Sequence, residues 1–137
     1  IPPTPAANGV AATIEYGVQA LGVKHIVICG HSHCGAVSGA LDPAAVTSLP
    51  LVAEWLKQAG PDLQDFQTED EDRLHAAVQH NVRVQLERLR AIPCVERAIR
   101  EGRLEVHGWV YRFERGEVEI LDASTDRFTT FNARSEG

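Results

Sequence analysis

The segment Ile26–Gly35 reads IVICGHSHCG and sets the architecture expected for this 137-residue chain. Its first residues are apolar and β-branched, and Gly30 ends the run, a pattern typical of a buried parallel strand that turns sharply into a loop. A stretch of small residues from Gly35 to Leu41 then predicts a helix. A buried strand that leads through a loop into a helix indicates an α/β fold.

The predicted loop holds His31 and Cys34 in an H-x-x-C arrangement. Imidazole nitrogen and thiolate sulfur are ligands that zinc prefers, and a strand-to-helix turn lets residues at this spacing converge on one ion. Tetrahedral zinc needs four ligands, or three and a water molecule in a catalytic site. The pair therefore predicts half of a metal site.

The other histidines and cysteines do not name a third ligand. We expect Cys29 to be a small buried hydrophobe within the strand, and Cys94 to be a packed thiol at a helix start. His33 stands between the two predicted ligands, where its side chain is expected to point elsewhere. His25 lies six residues before the first ligand and His107 falls in a later strand, with no ligand spacing to the rest. The third ligand stays open at this point.

The remainder of the chain alternates predicted helices with predicted strands. The Pro-rich opening, residues 1–9, is expected to be an extended arm, and residues 62–72 an acidic surface loop. Apolar residues at helical spacing predict the helices, and two β-rich runs joined by a turn predict a C-terminal hairpin. The predicted helices are Val10–Leu21, Gly35–Leu41, Leu51–Ala59, Leu74–Leu89 and Val95–Arg100, and the predicted strands are His25–Cys29, Leu104–Phe113 and Val118–Leu121.

Composition bounds the domain count and the classes of partner. With 44% hydrophobic and 23% charged residues, we expect one globular domain over residues 1–137. A formal charge of −6 without a Lys/Arg-rich patch argues against a nucleic-acid partner. No apolar run approaches the roughly 20 residues that span a bilayer, so no membrane partner is expected. Three cysteines, one of them assigned to metal, favour a reducing compartment, and we expect a cytoplasmic location.

Five segments of the chain together resemble the β-class carbonic anhydrases. Besides residues 26–35, they are residues 11–18 (AATIEYGV), 50–56 (PLVAEWL), 81–86 (NVRVQL) and 104–111 (LEVHGWVY). H-x-x-C alone is weak evidence of the family, but the ordered set extends the resemblance from Ile1 to about Phe128. We expect a parallel central β-sheet flanked by helices, which the C-terminal hairpin extends in the antiparallel sense.

The resemblance also implies a function. It implies a zinc-dependent lyase that reversibly hydrates carbon dioxide to bicarbonate and a proton, with His31 and Cys34 as zinc ligands. It implies that Tyr16 lines the substrate cleft across a dimer interface and that the Gly35 backbone N–H helps to hold bicarbonate. The implied assembly is a homodimer or a larger oligomer built from dimers. Zinc would lower the pKa of a bound water far enough to give a nucleophile near neutral pH.

One element of the family pattern has no match in this sequence. Family members carry an upstream C-x-D-x-R motif, which supplies a first zinc cysteine and an Asp–Arg pair beside the metal. No catalytic residue is therefore assigned within these 137 residues, and we expect an N-terminally incomplete domain. If the segment is truly absent, the alternative is a non-catalytic zinc-binding or scaffold protein of the same origin. A third alternative, found in some family members, is a form in which a carboxylate displaces the zinc water.

Structural explanations compete with the two substrate-binding assignments. A tyrosine on an apolar helix face, like Tyr16, is commonly a core or interface residue, and Gly35 could be required for close backbone approach at the helix start.

Two other enzyme motifs come close to this sequence, and each fails at one residue. A nucleophile elbow, G-x-S-x-G, would need glycine at Cys34, and a cysteine phosphatase loop, H-C-x5-R, would need arginine at Ala40.

Overall fold

The computed structural model describes residues 1, 7–59, 63, 66–68 and 72–131. Most of the predicted arm and of the predicted acidic loop lies outside these residues. The helices are α1 (Gly9–Gln19), α2 (Gly35–Leu41), a 3-10 helix (Pro43–Val46), α3 (Pro50–Ala59), α4 (Arg73–Arg90) and α5 (Pro93–Arg100). The strands are β1 (His25–His31), β2 (Glu105–Arg112), β3 (Glu117–Asp122) and β4 (Arg127–Phe131).

The four strands form one mixed sheet in the order β1-β2-β3-β4. β1 and β2 are parallel, with His25 opposite Glu105 and His31 opposite Tyr111. The β2–β3 and β3–β4 pairs are antiparallel. The predicted α/β class is confirmed, as are the parallel pairing and the antiparallel hairpin at the C-terminal end. β4 was not predicted, because its five residues (RFTTF) form a strand by pairing with β3 rather than by a strong apolar pattern of their own.

The residues at two helix starts explain two differences between predicted and observed helix boundaries. The Asn8 side chain accepts a 3.0 Å hydrogen bond from the Ala11 N–H, so α1 begins at Gly9, a residue assigned to the arm from sequence. α5 begins at Pro93, two residues before its predicted start, because proline suits the first helical position. No described helix is both long and apolar enough to cross a membrane.

Helix α4 packs directly on the backbone of β1 and β2. A Cβ atom placed on Gly30 would lie 2.8 Å from Cγ2 of Val82, and one on Gly108 would lie 2.7 Å from Cδ1 of Leu86. Contacts this short are repulsive, so both positions need glycine for α4 to pack at its observed distance from the sheet. This close packing fixes the carboxyl end of β1, where the H-x-x-C loop begins.

Two apolar clusters form the core on the α4 side of the sheet. One joins α2, α4 and β2 and the other joins α1, α5 and the start of β2, and the partly buried Ile28 and Val106 contact both. The first contains Val37, Ala40, Leu63, Ala77, Val78, Val82, Leu86 and Val110, and the second contains Val18, Leu89, Cys94, Val95, Ala98 and Leu104. The burial predicted for Cys94 is confirmed.

The opposite face of the sheet is exposed in the described part of the chain. Val27 and Tyr111 keep 38% and 42% of their surface accessible. Cys29 also lies on this face and is exposed, so the predicted burial of its thiol is wrong. The reason is strand alternation: Ile26 and Ile28 point toward the helices, which directs the residues between and after them to the other side.

Candidate metal-binding loop

The two predicted zinc ligands flank a two-residue turn at the carboxyl end of β1. His31 is the last residue of β1, and Cys34 is the N-cap of α2. The backbone of Cys34 is extended (φ −65°, ψ 111°), and its side chain makes no capping hydrogen bond. The thiol therefore does not cap the helix, and Cys34 lines a cavity beside the loop.

The His31 ring is oriented by a hydrogen bond within the loop. Its Nδ1 lies 2.9 Å from the carbonyl oxygen of Ser32. A carbonyl oxygen can only accept, so Nδ1 carries a hydrogen, and in the neutral ring Nε2 then has the lone pair. Metal-binding histidines commonly donate a hydrogen bond from one ring nitrogen to a carbonyl, which leaves the other ring nitrogen available to the metal.

His33 has a backbone conformation that reverses the chain. Its φ of 53° lies in the left-handed region, which is uncommon for a residue other than glycine. Its ring centroid is 5.5 Å from that of Phe113, the residue that follows β2. The turn at His33 is thus what brings the chain from the end of β1 into α2.

Ser32 anchors the loop to the end of β2. Its hydroxyl donates a 2.5 Å hydrogen bond to Oε2 of Glu114 and accepts a 3.3 Å bond from the Phe113 N–H. Its own N–H donates to the Tyr111 carbonyl at 2.9 Å. Ser32 is buried, with 5% of its surface accessible, so these bonds replace water. The sequence carries no signal for this role, because the partner carboxylate is 82 residues away.

The anchoring carboxylate is held in its ionised form. The Ser32 hydroxyl, the backbone and Arg112 all donate to it, and together they lower the pKa of Glu114 to about 2, with Ser32 the largest cause. The same pairing raises the pKa of Arg112, chiefly through its hydrogen bond to Glu114. The Arg112 Nε to Glu114 Oε1 distance is 3.0 Å.

A polar network continues from Arg112 to α4. Arg112 Nη1 lies 3.6 Å from Oε1 of Glu119 on β3, and Oε2 of Glu119 lies 3.1 Å from Nε2 of His75. Gln79 also donates to Glu119, at 2.8 Å. The ionisable side chains keep only 13–17% of their surface accessible, so the network is largely shielded from solvent. It links α4, β3 and β2 to the turn that holds Ser32.

A cavity of about 760 Å³ opens beside Cys34. Its walls come from α1, α2, α3 and α4 and are mainly apolar; they include Val10, Thr13, Ile14, Cys34, Ala36 and Trp55. Tyr16 is not part of this lining, and 63% of its surface is exposed. Gly35 is exposed, and no described atom outside its immediate neighbours lies within 4 Å of a Cβ placed there. Close approach of the described backbone is therefore not what requires glycine at this position.

The donors of His31 and Cys34 fit zinc in chemical type, and a complete site needs at least one further protein ligand. Among residues 1, 7–59, 63, 66–68 and 72–131, one group brings three potential metal-binding side chains together, and it is elsewhere. It consists of His25, Glu105 and His107, whose ligand atoms all lie within 4.8 Å of one another. Sequence spacing missed this group because it depends on the register between β1 and β2.

Comparison with known protein families and sequences gives one consistent answer. A family model described as carbonic anhydrase matches residues 1–118. A carbonic anhydrase of Pseudomonas aeruginosa is 43% identical over 136 residues, which cover 96% of this chain and 62% of that protein. Carbonic anhydrase 1 of Escherichia coli O157:H7 is 38% identical over 137 residues, covering 94% of this chain and 61% of that protein. The chain thus spans about six tenths of the length of these relatives.

Solved structures agree with the sequence matches. The β-carbonic anhydrase CcaA superposes with a TM-score of 0.85 at 39% identity, over 98% of this chain and 63% of that one. A β-carbonic anhydrase from Sordaria macrospora, described as tetrameric, superposes with a TM-score of 0.75 at 30% identity. That match covers 94% of this chain and 64% of the fungal chain.

Proposed function

Because this chain belongs to the β-class carbonic anhydrase family, we propose that it forms part of a zinc enzyme that reversibly hydrates carbon dioxide to bicarbonate and a proton. The observation that carries the proposal is the loop between β1 and α2. His31 offers Nε2 because its Nδ1 donates to the Ser32 carbonyl, and Cys34 offers a thiol that takes no part in helix capping.

His31 and Cys34 would hold the zinc ion through Nε2 and Sγ. Zinc bound there supplies Lewis-acid activation of a water molecule for attack on the carbon of carbon dioxide. The surrounding residues keep the ligands in place. The hydrogen on His31 Nδ1 stays on that atom as long as the Ser32 carbonyl accepts it, and the Ser32–Glu114 bond holds the turn against β2.

Gly35 and Tyr16 are proposed to contact the substrate. The Gly35 N–H belongs to the first turn of α2, where backbone donors have no partner within the helix and can bind an oxygen of bicarbonate. The open space around the Gly35 Cα leaves room for that anion. Tyr16 does not line the cavity beside Cys34 in its own chain and is exposed, so its proposed place is the cleft of a second subunit.

The proposed assembly is a homodimer or an oligomer built from dimers. Helices α1 and α3 expose large apolar side chains, among them Val10 (50%), Tyr16 (63%), Leu51 (86%) and Trp55 (62%). Apolar surface of this kind is favourable to bury against a second copy. Sedimentation analysis should give at least twice the monomer mass, and a monomer at micromolar concentration would contradict the assembly.

The proposed location is the cytoplasm, because the three free thiols suit a reducing compartment.

The decisive experiment measures zinc and activity in the same samples. The protein at its natural length, together with its His31→Ala and Cys34→Ala variants, is assayed for bound zinc by mass spectrometry and for carbon dioxide hydration by stopped flow. Each variant should lose at least tenfold in both. His33→Ala and Cys29→Ser are the matched controls, since they remove an imidazole and a thiol near the loop without removing a proposed ligand, and both should retain zinc.

The outcomes separate the candidate functions. Zinc bound through His31 and Cys34 without measurable hydration would favour the non-catalytic alternative over the enzyme. Wild-type zinc content and activity in Cys34→Ala would overturn the proposed site.

A further inference from the structure

His25, Glu105 and His107 form a compact group at the amino ends of β1 and β2, opposite the end that carries the H-x-x-C loop. We propose that these three side chains bind a divalent transition-metal ion, of the kind represented by Ni2+ or Zn2+, at a second site. The function proposed for His31 and Cys34 does not require this site. The inference depends only on the register of two strands and on the atoms that the register brings together.

The parallel register places the three side chains on one face. His25 is directly opposite Glu105, and Val27 is opposite His107. Residues two apart in a strand point to the same side, so Glu105 and His107 project together beside His25. The Glu105 N–H donates a 2.9 Å hydrogen bond to the Lys24 carbonyl, which fixes the register at its first residue.

The spacing of the two imidazoles suits a shared ion. Nδ1 of His25 lies 3.2 Å from Nε2 of His107. Two nitrogens bound tetrahedrally at ~2.0–2.1 Å from a metal would be about 3.3 Å apart. The two rings are tilted by 33° with centroids 5.4 Å apart, so they approach each other edge to edge through these nitrogens.

Glu105 supplies the third donor with a small movement. Its Oε2 lies 3.9 Å from Nδ1 of His25 and 3.9 Å from Nε2 of His107. A donor atom from a third ligand of the same ion would lie about 3.4 Å from the other two, so the carboxylate oxygen has to move about 0.5 Å closer to both nitrogens. The side chain is 72% exposed, which leaves it free to make that adjustment.

The donor set selects the class of metal. Imidazole suits zinc, copper and nickel, whereas magnesium and calcium prefer all-oxygen sites. Without metal, one of the two facing nitrogens carries the hydrogen of the 3.2 Å bond. That ring must carry its hydrogen on its other nitrogen for both lone pairs to face the ion. Solvent reaches the site, because the side chains of His25 and His107 are 60% and 33% exposed, and water can complete the coordination.

The site is independent of the H-x-x-C loop. His25 and His31 are the first and last residues of β1, and six strand residues span about 20 Å. One ion cannot bridge the two positions. Binding at the amino ends of the strands should therefore add one metal equivalent to whatever His31 and Cys34 hold.

Calorimetric titration with Ni2+ tests the proposal, using protein at its natural length that holds one zinc per chain, so that the second site is empty at the start. We expect one equivalent of Ni2+ to bind beyond the zinc. His25→Gln and His107→Gln should each weaken that binding at least tenfold, and Glu105→Gln by several-fold. Trp109 lies on the same face two residues after His107, so bound Ni2+ should also quench its fluorescence. Trp55→Phe removes the signal of the other tryptophan within residues 1–137.

The control is His33→Gln, which removes a histidine outside the group and should leave the titration unchanged. Far-ultraviolet circular dichroism confirms that each variant is folded. Equal Ni2+ affinity and quenching in the wild type and in the His25→Gln/His107→Gln double variant would overturn the second site. Because zinc at His31 and Cys34 is counted separately, failure here is distinguishable from failure of the proposed enzyme.

Discussion

Ser32 and Glu114 lie 82 residues apart in sequence and share a 2.5 Å hydrogen bond that fastens the H-x-x-C loop to the turn between β2 and β3. The serine, which lies between the two proposed zinc ligands in sequence, is buried, and the carboxylate is ionised, so the bond is charge-assisted. The loop geometry thus depends on a contact that involves neither ligand directly.

Removing the Ser32 hydroxyl should change how Glu114 titrates. In Ser32→Ala, the pKa of Glu114 should rise from about 2 toward its ordinary value of 4.5, because the hydroxyl is the largest cause of the shift. Carbon-detected NMR titration of the carboxyl groups measures this directly. The pKa of Asp122 is lowered mainly by Ser124 and provides an internal control that should not move. An unchanged Glu114 titration would contradict the assignment.

The same bond predicts a pH dependence of stability. The folded-state pKa of Glu114 lies below the ordinary value, so the carboxylate stabilises the fold at pH values above about 4.5. That contribution is lost as the pH falls from there through about 2. The difference in unfolding free energy between the wild type and Ser32→Ala should therefore shrink over this range. Urea titrations at several pH values measure the difference, and a constant gap from pH 6 to pH 2 would contradict the prediction.

A methyl group under α4 should be poorly tolerated. Gly108→Ala places a Cβ 2.7 Å from Leu86 Cδ1 and 3.0 Å from Val82 Cγ1, and we expect a loss of about 1–3 kcal/mol in the free energy of unfolding. Gly17→Ala is the matched control, since its nearest neighbour, Val23 Cγ2, is 4.0 Å away. Within helix α1 it should stabilise the protein by about 0.5–1 kcal/mol. Equal effects of the two variants in urea denaturation would refute the close packing.

Removing Glu119 should destabilise the fold far more than removing a surface carboxylate. Glu119→Ala leaves Arg112 and His75 without a shared partner in a site with 13–17% exposure, and we expect a loss of about 2–4 kcal/mol. Glu54→Ala removes an exposed pair with Lys57 and should cost less than about 0.5 kcal/mol. The measurement is the urea midpoint of each variant, and similar midpoints would show that the network adds little.

The backbone at His33 makes a separate prediction. Because its φ is 53°, a β-branched replacement such as His33→Val should cost about 1–2 kcal/mol, while His33→Gly should cost less or stabilise slightly. Thermal denaturation compares the two variants. Both should retain zinc, and a glycine variant less stable than the valine variant would argue against the left-handed turn.

Local patterns predicted the parts of the fold that are locally determined. The apolar run that ends at Gly30, the small-residue helix after Cys34 and the C-terminal hairpin were all found as expected. The side on which Cys29 lies was missed, because a continuous apolar run does not show which of its alternating residues face the helices. β4 was missed because its stability comes from β3.

The same distinction applies to the sites. H-x-x-C spacing was sufficient to propose His31 and Cys34, because both lie in one turn. The anchor formed by Glu114 and the grouping of His25 with His107 were not visible in the sequence. Each of them requires the pairing of strands that are about 80 residues apart along the chain, and spacing within a segment carries no information on that register.

Arg112 stands between two carboxylates, with Glu114 on the side of the loop and Glu119 on the side of α4. The energetic effects of substitutions along this line should therefore be non-additive, because each change alters the partner on which the next one depends. A replacement of Glu119 that is harmful alone could be tolerated once Arg112 has also changed. These positions should therefore be substituted together among relatives. Changes near the H-x-x-C loop should be accompanied by changes in residues of α4 and β3 that are not metal ligands.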